Sequence, residues 1–325
     1  MLHHQANPLP VIVIVGPTAS GKSDLALDIA RRCNGEIISA DSRQIYRELN
    51  IGTAKPSPEI LAEIRHHFIN ERELGSSFTA GAFTRQARER ITAIHQRSHL
   101  PVVAGGSTLY IEALLDGLAA LPPSDPAIRG ALLAELEEKG AAVLYRRLRE
   151  LDPEQAGTMD PSKTHRLVRS LEIITISGTT VSRLQAEGRE QNDNPVTFHT
   201  FGLQMPRERL YERINQRTGQ MVANGLEDEA RQLFLRHRTE IDNKKVSALQ
   251  SVGYQEFFAS FRGLCTIDEA ISKIRQHTRN YAKRQMTFFK NRLSIPWVEA
   301  PETPEERQAL VNTICSTIQS SFVGK

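Results

Sequence analysis

The chain has 325 residues, of which 39% are hydrophobic, and its formal net charge at pH 7 is +3. This length and composition predict a globular protein with a substantial core and about two domains. No apolar stretch approaches the roughly 20 residues that cross a bilayer, and residues 1–10 lack the apolar core of a signal peptide. Cys33, Cys265 and Cys315 form neither a disulfide framework pattern nor a zinc motif. We therefore expect a cytoplasmic protein that does not associate with membranes.

The most informative segment directly follows the first apolar run. Residues 11–15 read VIVIV, which is typical of a buried strand, and the next eight residues read GPTASGKS. In this phosphate-binding pattern, backbone N–H groups surround an anion, a lysine adds positive charge and a serine hydroxyl can ligate Mg²⁺. The motif alone favours a nucleoside triphosphate as the ligand. The predicted phosphate-binding residues are Gly16, Pro17, Thr18, Ala19, Ser20, Gly21, Lys22 and Ser23, with Ser23 as the Mg²⁺ ligand.

The alternation of strands and helices up to about residue 118 predicts an α/β fold with a P-loop NTPase-like parallel sheet flanked by helices. The expected strands are 11–15, 37–39, 67–69, 101–104 and 196–203.

From residue 119 the pattern changes to helical segments without a convincing strand, which predicts an inserted all-helical domain over residues 119–196. Residues 1–118 and 197–325 would then form the core. The helices expected in the insertion are 127–139, 142–151 and 162–177, and those expected after it are 206–224, 226–236, 254–261, 267–292 and 304–322, the last as a solvated tail.

Polar loops follow three of the predicted strands. Asp41 comes after strand 37–39, one βαβ unit beyond the phosphate loop, and Ser107 follows the Gly105-Gly106 pair after strand 101–104. Right-handed crossovers bring such loops to one sheet edge, where they would converge on a bound phosphate group. Asp41 could be a general base or a second-shell Mg²⁺ ligand, and the glycine pair could be an ordinary strand-to-helix turn.

A long basic segment lies late in the chain. Residues 273–292 contain Lys or Arg at seven positions and no Asp or Glu, with Tyr281, Phe288 and Phe289 interleaved. Cations neutralise a nucleic-acid backbone, and aromatic rings stack on unpaired bases or pack in a core. The segment therefore predicts an RNA-facing helix, and the alternative is a solvated helix whose aromatic residues belong to the core.

Two further groups of basic residues have helical spacing. Arg209, Arg213 and Arg217 would align on one helix face, although neighbouring glutamates such as Glu212 make an ordinary salt-bridged surface equally compatible. Residues 165–169, HRLVR, add a small basic cluster within the predicted insertion.

Taken together, these segments resemble the tRNA dimethylallyltransferases, a family that transfers an isopentenyl group to adenosine 37 beside the anticodon. The similarity runs nearly end to end, and its most specific parts are the DSRQIY block with IGTAKP, the GG-x-x-LY turn and the AKRQ-x-TFF run. The matching segments are GPTASGKS at 16–23, ISADSRQIYRELNIGTAKP at 38–56, VVAGGSTLYIEALLDGL at 102–118, HRLVRSLEI at 165–173, SVGYQE at 251–256 and TRNYAKRQMTFF at 278–289.

The resemblance implies a P-loop-type core that holds dimethylallyl diphosphate with Mg²⁺, and an inserted domain that grips the anticodon stem-loop of tRNA. It also implies a channel in which the two substrates meet. The implied catalytic residues are Asp41, Ser107 and Arg217. The residues expected to contact tRNA are Asp41, Ser42, Arg43, Gln44, Ser107, Arg129, His165, Arg166, Leu167, Val168, Arg169, Lys283 and Arg284.

The chain departs from the family pattern at two positions. Ser107 stands where the family usually has threonine, which keeps the hydroxyl but loses the methyl group that restricts its rotamer. Gln250 stands where some members carry arginine.

Three other functions share part of this pattern: a small-molecule kinase, an adenylate isopentenyltransferase acting on free AMP, and a nucleotide-switched RNA-binding module. The kinase leaves the basic helix and the insertion unexplained, and Asp41 at the converging edge disfavours a module without chemistry. A monomer is the default expectation.

Overall fold

The computed structural model describes residues 9–117, 119, 121–187, 196–243 and 246–323. The chain divides into two compact units. The larger unit consists of the residues up to Leu115 and from Asn194 onward, and the smaller unit is Asp116–Asp193. Within the described ranges, no helix combines the length and apolar character that a bilayer-spanning segment needs.

The larger unit contains a six-stranded sheet in the order β3-β2-β4-β1-β5-β6. Each neighbouring pair is parallel, which confirms the predicted parallel α/β sheet. Because the strands run in one direction, the carboxyl ends of β1, β2 and β4 lie at one edge. The strands are β1 (Leu9–Val15), β2 (Gly35–Ser39), β3 (His66–His67), β4 (Leu100–Gly105), β5 (Val196–Gln204) and β6 (Trp297–Glu299).

The two outermost strands differ from the expectation. The predicted strand 67–69 is wrong in its bounds, because Phe68 has a φ of 63°, a left-handed conformation that ends β3 at His67. The edge strand β6 was not predicted, since three residues are too few to show an alternating pattern.

The helices in chain order are α1 (Lys22–Arg32), α2 (Pro58–Glu63), α3 (Ala80–Gln96), α4 (Thr108–Asp116), α5 (Pro126–Lys139), α6 (Ala141–Leu151), α7 (Pro153–Gly157), α8 (Thr164–Ser177), α9 (Val181–Ala186), α10 (Arg207–Ala223), α11 (Leu226–Arg236), α12 (Arg238–Asp242), α13 (Gln255–Phe261), α14 (Ile267–Arg292) and α15 (Pro304–Val323). A short 3₁₀ helix, Ser247–Gln250, precedes α13. Helices α2, α7, α9 and α12 were not predicted, and each has only five or six residues.

The sheet is covered on both faces. Val11, Val13 and Val15 belong to a large apolar cluster that includes residues of α3, α11, α13 and α14. Ile12 and Ile14 belong to a second cluster with residues of α1 and α15. The alternation of side chains along β1 therefore joins two cores, and the apolar run VIVIV is explained by burial on both faces.

Helix α15 is not the solvated tail that was predicted. Val311, Ile314 and Ile318 are buried in the second cluster, at the spacing of one helical face, and they pack beside α1. The same packing brings together two cysteines that are distant in sequence. Burial and a hydrogen bond with Cys315 raise the pKa of the Cys33 thiol to about 12.

The smaller unit has its own apolar core in the part of the chain that is described. Leu132 of α5, Leu144 and Leu148 of α6, and Leu167 and Leu171 of α8 form this cluster. A helical unit with a separate core can present its outer face independently of the sheet.

Candidate active site

The phosphate loop, residues 16–23, joins the end of β1 to the start of α1. Ala19 and Gly21 have φ angles of 64° and 86°, and these left-handed positions curl the backbone into a compact turn. The Lys22 ammonium group donates a hydrogen bond to the Pro17 carbonyl oxygen at 3.1 Å. Desolvation and the nearby Arg217 charge together lower the pKa of Lys22 to about 8, against the opposing effect of the Asp41 charge. A bound anion would favour the protonated lysine.

Two of the three evenly spaced arginines of α10 lie against this loop. Arg217 donates a hydrogen bond from Nη1 to the Thr18 hydroxyl oxygen at 2.9 Å. Burial lowers the pKa of Arg217, and the Asp41 charge opposes that effect. Arg213 lies beside Gly21, with Nη2 3.2 Å from where a Cβ of Gly21 would be. Arg209 pairs with glutamates at the surface instead.

Asp41 follows β2 and turns its carboxylate back onto its own loop. Oδ1 accepts hydrogen bonds from the backbone N–H groups of Arg43 at 2.8 Å and Gln44 at 3.3 Å. No described residue donates a hydrogen bond to Oδ2. The carboxylate is therefore oriented through one oxygen, and the other can accept a proton.

The turn after β4 holds the segment that carries Asp41. The hydroxyl oxygen of Ser107 accepts a hydrogen bond from the Ser42 N–H at 2.9 Å, and the Ser107 N–H donates to the Ala40 carbonyl oxygen at 3.1 Å. A Cβ on Gly105 would lie 2.1 Å from the Ala40 oxygen, so the close approach of the two loops requires glycine there. Ser107 thus contacts the backbone on both sides of Asp41.

Two cavities of about 400 and 300 Å³ meet at Asp41. The smaller cavity reaches Lys22 and Ser23 of the phosphate loop, and the larger one extends along α14 as far as Arg284. Both are lined by Thr18, Asp41, Thr53, Arg217 and Tyr281.

Tyr281 places the basic helix at the junction of the two cavities. Desolvation and the nearby Asp41 charge raise the pKa of its hydroxyl to about 12. The ring lies beneath Arg284, whose guanidinium carbon is 6.0 Å from the ring centroid. Phe289, by contrast, is fully buried in the core, so the aromatic residues of this segment include one that packs in the core and one that lines the cavities.

Thr53 is held at the cavities by a network that the sequence did not reveal. The Glu229 carboxylate of α11 accepts hydrogen bonds from the three backbone N–H groups of residues 50–52 and from the Tyr254 hydroxyl. A Cβ on Gly52 would collide with the Tyr254 ring at 2.5 Å. Gly52 belongs to the IGTAKP segment and Tyr254 to the SVGYQE segment, and this membership was their signal in the sequence, whereas Glu229 lies in neither segment.

Lys55 fixes the other end of the same loop. Its ammonium group donates hydrogen bonds to the Tyr46 carbonyl oxygen and to the side-chain oxygens of Asn50 and Asn70. Burial lowers the pKa of Lys55 to about 8, and the Glu229 charge opposes this. The loop is therefore anchored from both sides.

The core residues expected to contact tRNA differ in accessibility. Ser42 and Arg43 line the larger cavity, and Lys283 and Arg284 are exposed on α14. The Gln44 amide instead donates to the carbonyl oxygens of residues 53 and 54 and accepts from the Ser39 hydroxyl. Its side chain therefore connects β2 to the loop that carries Thr53.

In the smaller unit, the predicted RNA contacts include two arginines that bind a buried carboxylate. Glu172 is fully buried and accepts hydrogen bonds from Arg129 at 3.2 Å and from Arg169 at 2.9 Å. The Ser124 hydroxyl and the Asp125 N–H donate to its other oxygen. Hydrogen bonds and the Arg169 charge outweigh the burial that would raise the pKa of Glu172, so its pKa is lowered.

The side chains of the neighbouring cluster, residues 165–169, differ in exposure because they lie on different faces of α8. His165 and Arg166 are exposed, whereas Leu167 and Val168 are fully buried in the apolar core of the unit. The helix turns the side chains of Leu167 and Val168 inward, and the tRNA contact of this segment stays a prediction.

Comparison with known proteins identifies the family to which the chain is similar. Residues 44–292 match the family model described as IPP transferase. The tRNA dimethylallyltransferase of Pelodictyon phaeoclathratiforme is 56% identical over 304 residues, which cover 94% of this chain and 96% of the relative. The enzyme of the same name from Chlorobaculum parvum is 56% identical over 311 residues, covering 95% of this chain and 98% of the relative.

Two solved structures have the same fold. The crystal structure of the tRNA isopentenylpyrophosphate transferase from Bacillus halodurans is 33% identical, with a TM-score of 0.69, and covers 96% of this chain and 97% of that one. A eukaryotic dimethylallyltransferase acting on tRNA is 26% identical, with a TM-score of 0.78, and covers 96% of this chain and 78% of that one.

Proposed function

The chain belongs to the tRNA dimethylallyltransferase (IPP transferase) family, and from this premise we propose that it transfers a dimethylallyl group from dimethylallyl diphosphate to N6 of adenosine 37 in tRNA, releasing diphosphate. One observation carries the proposal. Asp41 lies where a cavity lined by the phosphate loop meets a cavity lined by the basic helix α14. A diphosphate donor suits the first cavity, and an RNA base suits the second.

The phosphate loop would hold the leaving group. In the reaction, the N6–carbon bond forms as the bond between the allylic carbon and the bridging oxygen breaks, so negative charge grows on the diphosphate. Lys22 and Arg217 line the smaller cavity, and together with backbone N–H groups of the loop they would stabilise that charge. A confined site also protects an allylic, cation-like carbon from water.

Asp41 would be the general base. The exocyclic amine of adenine is a poor nucleophile, and it loses a proton as it attacks carbon. With Oδ1 fixed by two backbone N–H groups, Oδ2 can take that proton from a base that has been flipped out of the anticodon loop.

The residues fit the Mg²⁺ that was expected. Ser23 and Asp24 line the smaller cavity, and no cluster of three or more His, Cys, Asp or Glu residues in the described ranges could hold a metal by itself. A site of this kind suits Mg²⁺, which binds through one or two protein oxygens together with phosphate oxygens and water. Ser23 would hold the ion, which would supply charge neutralisation to the diphosphate.

The tRNA partner would be bound by exposed basic residues. Lys283 and Arg284 of α14 and His165 and Arg166 of α8 are the exposed members of the predicted set. We propose that they contact the anticodon stem-loop, largely through phosphates, and that the protein acts as a cytoplasmic monomer. Arg129 and Arg169 would have to contact RNA while bound to Glu172.

A transfer assay tests the proposed function. Purified protein is incubated with Mg²⁺, labelled dimethylallyl diphosphate and either unmodified tRNA or AMP, with labelled ATP as a control donor. The proposal expects label in tRNA alone. Label in AMP would identify an adenylate isopentenyltransferase, phosphate transfer from ATP would identify a kinase, and tRNA binding without transfer would identify a binding module.

A second arm locates the modification. Nuclease digestion of the labelled tRNA and mass spectrometry should find the added group on adenosine 37, and a tRNA with guanosine at that position should accept none. Label at another nucleotide would contradict the assignment of the target.

A further inference from the structure

Gln285 joins the phosphate loop to the turn after β4. It lies on the buried side of α14, and its side chain is almost fully enclosed, with 2% exposure. Its Oε1 accepts a hydrogen bond from the Thr18 N–H at 2.9 Å, and its Nε2 donates to the Gly106 carbonyl oxygen at 2.7 Å. One amide group therefore contacts the backbone of both loops.

The chemistry of the two partners fixes the orientation of this amide. A backbone N–H can only donate and a backbone carbonyl can only accept, so the amide oxygen must face Thr18 and the amide nitrogen must face Gly106. Glutamate would face the Gly106 carbonyl with a second acceptor. A Cβ on Gly106 would lie 2.2 Å from Nε2, so the glycine at this position makes room for the amide.

The contact continues from Gly106 to the proposed base. The next residue, Ser107, binds the Ala40 carbonyl oxygen and the Ser42 N–H, which flank Asp41. A chain of hydrogen bonds thus runs from Thr18 in the phosphate loop, through Gln285 and the Gly106-Ser107 turn, to the segment that carries the base. The two ends of this chain would hold the leaving group and the proton acceptor.

We propose that Gln285 is a positioning residue that sets the distance between the phosphate loop and Asp41. This inference rests on the proposed function, because it assumes that attack and departure occur at those two places. Gln285 has both side-chain heteroatoms engaged by backbone and would act through the two loops. Reactions of this kind are sensitive to geometry, since a displacement of about 1 Å can reduce the rate about 10²-fold.

Two substitutions test the two hydrogen bonds of Gln285 separately. Q285E keeps an acceptor for the Thr18 N–H but places a carboxylate oxygen against the Gly106 carbonyl oxygen. Q285M has a similar length and removes both hydrogen bonds. The matched controls are Q308E and Q308M, because Gln308 is an exposed glutamine of α15 whose amide donates a hydrogen bond to Asn312 on the same helix.

The kinetic test separates kcat from KM. For Q285E we expect kcat to fall about 10²-fold, because the bond to the phosphate loop is kept but the bond to Gly106 is lost. For Q285M we expect the same loss of kcat together with a higher donor KM. The Gln308 variants should match the wild type. A kcat of Q285E within about twofold of the wild type would overturn the proposal, given the 10²-fold expectation.

Hydrogen–deuterium exchange gives a readout that does not depend on activity. Peptides covering residues 16–21 should exchange faster in Q285M but not in Q285E, whereas peptides covering residues 104–108 should exchange faster in both. If the wild type transfers no label to tRNA, the proposed function fails, and the exchange pattern still decides whether Gln285 couples the loops. Unchanged exchange in both peptides would show that Gln285 does not couple the two loops. If Q285M does not fold, the exchange and kcat of Q285E alone decide between these outcomes.

Discussion

Asp41 and Glu172 are two carboxylates near arginine residues, and the structure uses them in opposite ways. Asp41 has one oxygen bound by two backbone N–H groups, and it lines both cavities. Glu172 is fully buried and has hydrogen bonds to both oxygens, two of them from arginines. A carboxylate with a remaining acceptor at a cavity is available for chemistry, whereas a saturated one stabilises a fold.

The arginines near these two carboxylates also differ in their partners. Arg217 contacts the neutral hydroxyl of Thr18 and retains donors for a bound anion. Arg129 and Arg169 share one buried carboxylate, Glu172, which offsets one of their two positive charges and orients both side chains. A basic residue is a stronger candidate for binding an anion where its neighbours leave its charge uncompensated. The following predictions test this contrast.

The largest effect is expected at Asp41. Asp41→Asn keeps an oxygen for the Arg43 and Gln44 N–H groups but removes the proton acceptor, so kcat should fall by at least about 10²-fold. Single-turnover transfer to unmodified tRNA measures the loss. Binding of tRNA and of dimethylallyl diphosphate, and the free energy of unfolding, should stay close to those of the wild type. A loss of less than about tenfold with intact binding would show that Asp41 is not the base.

Glu172 should show the reverse result. Glu172→Gln removes the charge that compensates Arg129 and Arg169, so the free energy of unfolding should fall by about 3 kcal/mol, as measured by urea denaturation. The transfer rate per folded molecule should be largely retained. Glu135→Gln is the control, because the ion pairs of Glu135 with Lys139 and Arg147 are partly exposed and worth at most about 1 kcal/mol. Equal effects of the two substitutions would contradict the structural role of Glu172.

A second carboxylate with hydrogen bonds to both of its oxygens predicts how stability depends on pH. Glu36 is buried, and although burial alone raises its pKa, hydrogen bonds from Arg97, His67 and His99 lower its pKa to about 2. Its unfolded pKa is about 4.3, so its contribution is complete above that pH and is lost as the pH falls towards 2. The advantage of wild type over Glu36→Gln in urea denaturation should therefore shrink by up to about 1.4 kcal/mol per pH unit below pH 4. An advantage that grows on acidification would contradict this assignment.

The smallest effect is expected at the exposed cations of α14. Replacing Lys283 and Arg284 with alanine should weaken tRNA binding about tenfold at low salt and reduce the slope of log affinity against log salt by up to about 2. The control replaces Arg231 and Arg236 of α11, which removes the same charge from residues paired with glutamates. Filter binding across salt concentrations distinguishes a local contact from a general charge effect. Equal losses of tRNA affinity in the two double variants would show that α14 is not the RNA-binding surface.

The sequence predicted the parts of the site that depend on local pattern and strand direction. The phosphate loop is a contiguous motif, and the crossover rule was sufficient to place Asp41 and Ser107 at the same edge. Gln285 and Glu229 were not predicted, because their partners are 267 and about 180 residues away and no periodicity encodes such pairs. The buried face of α15 could have been predicted, since its apolar residues have helical spacing in the sequence. The prediction of a solvated tail did not use that spacing.

The order of the strands also bears on how the protein is made. The central strand β1 pairs with β5 along its whole length, yet about 180 residues, including the entire smaller unit, separate the two strands in sequence. At a synthesis rate of 5–20 residues per second, β1 waits roughly 10 to 40 s for this neighbour. During that time β4 can pair with one edge of β1, while the backbone N–H and C=O groups of the other edge stay without their partner strand. The helical unit can meanwhile complete its own core, so the nascent chain would contain a folded insertion before it contains a folded sheet.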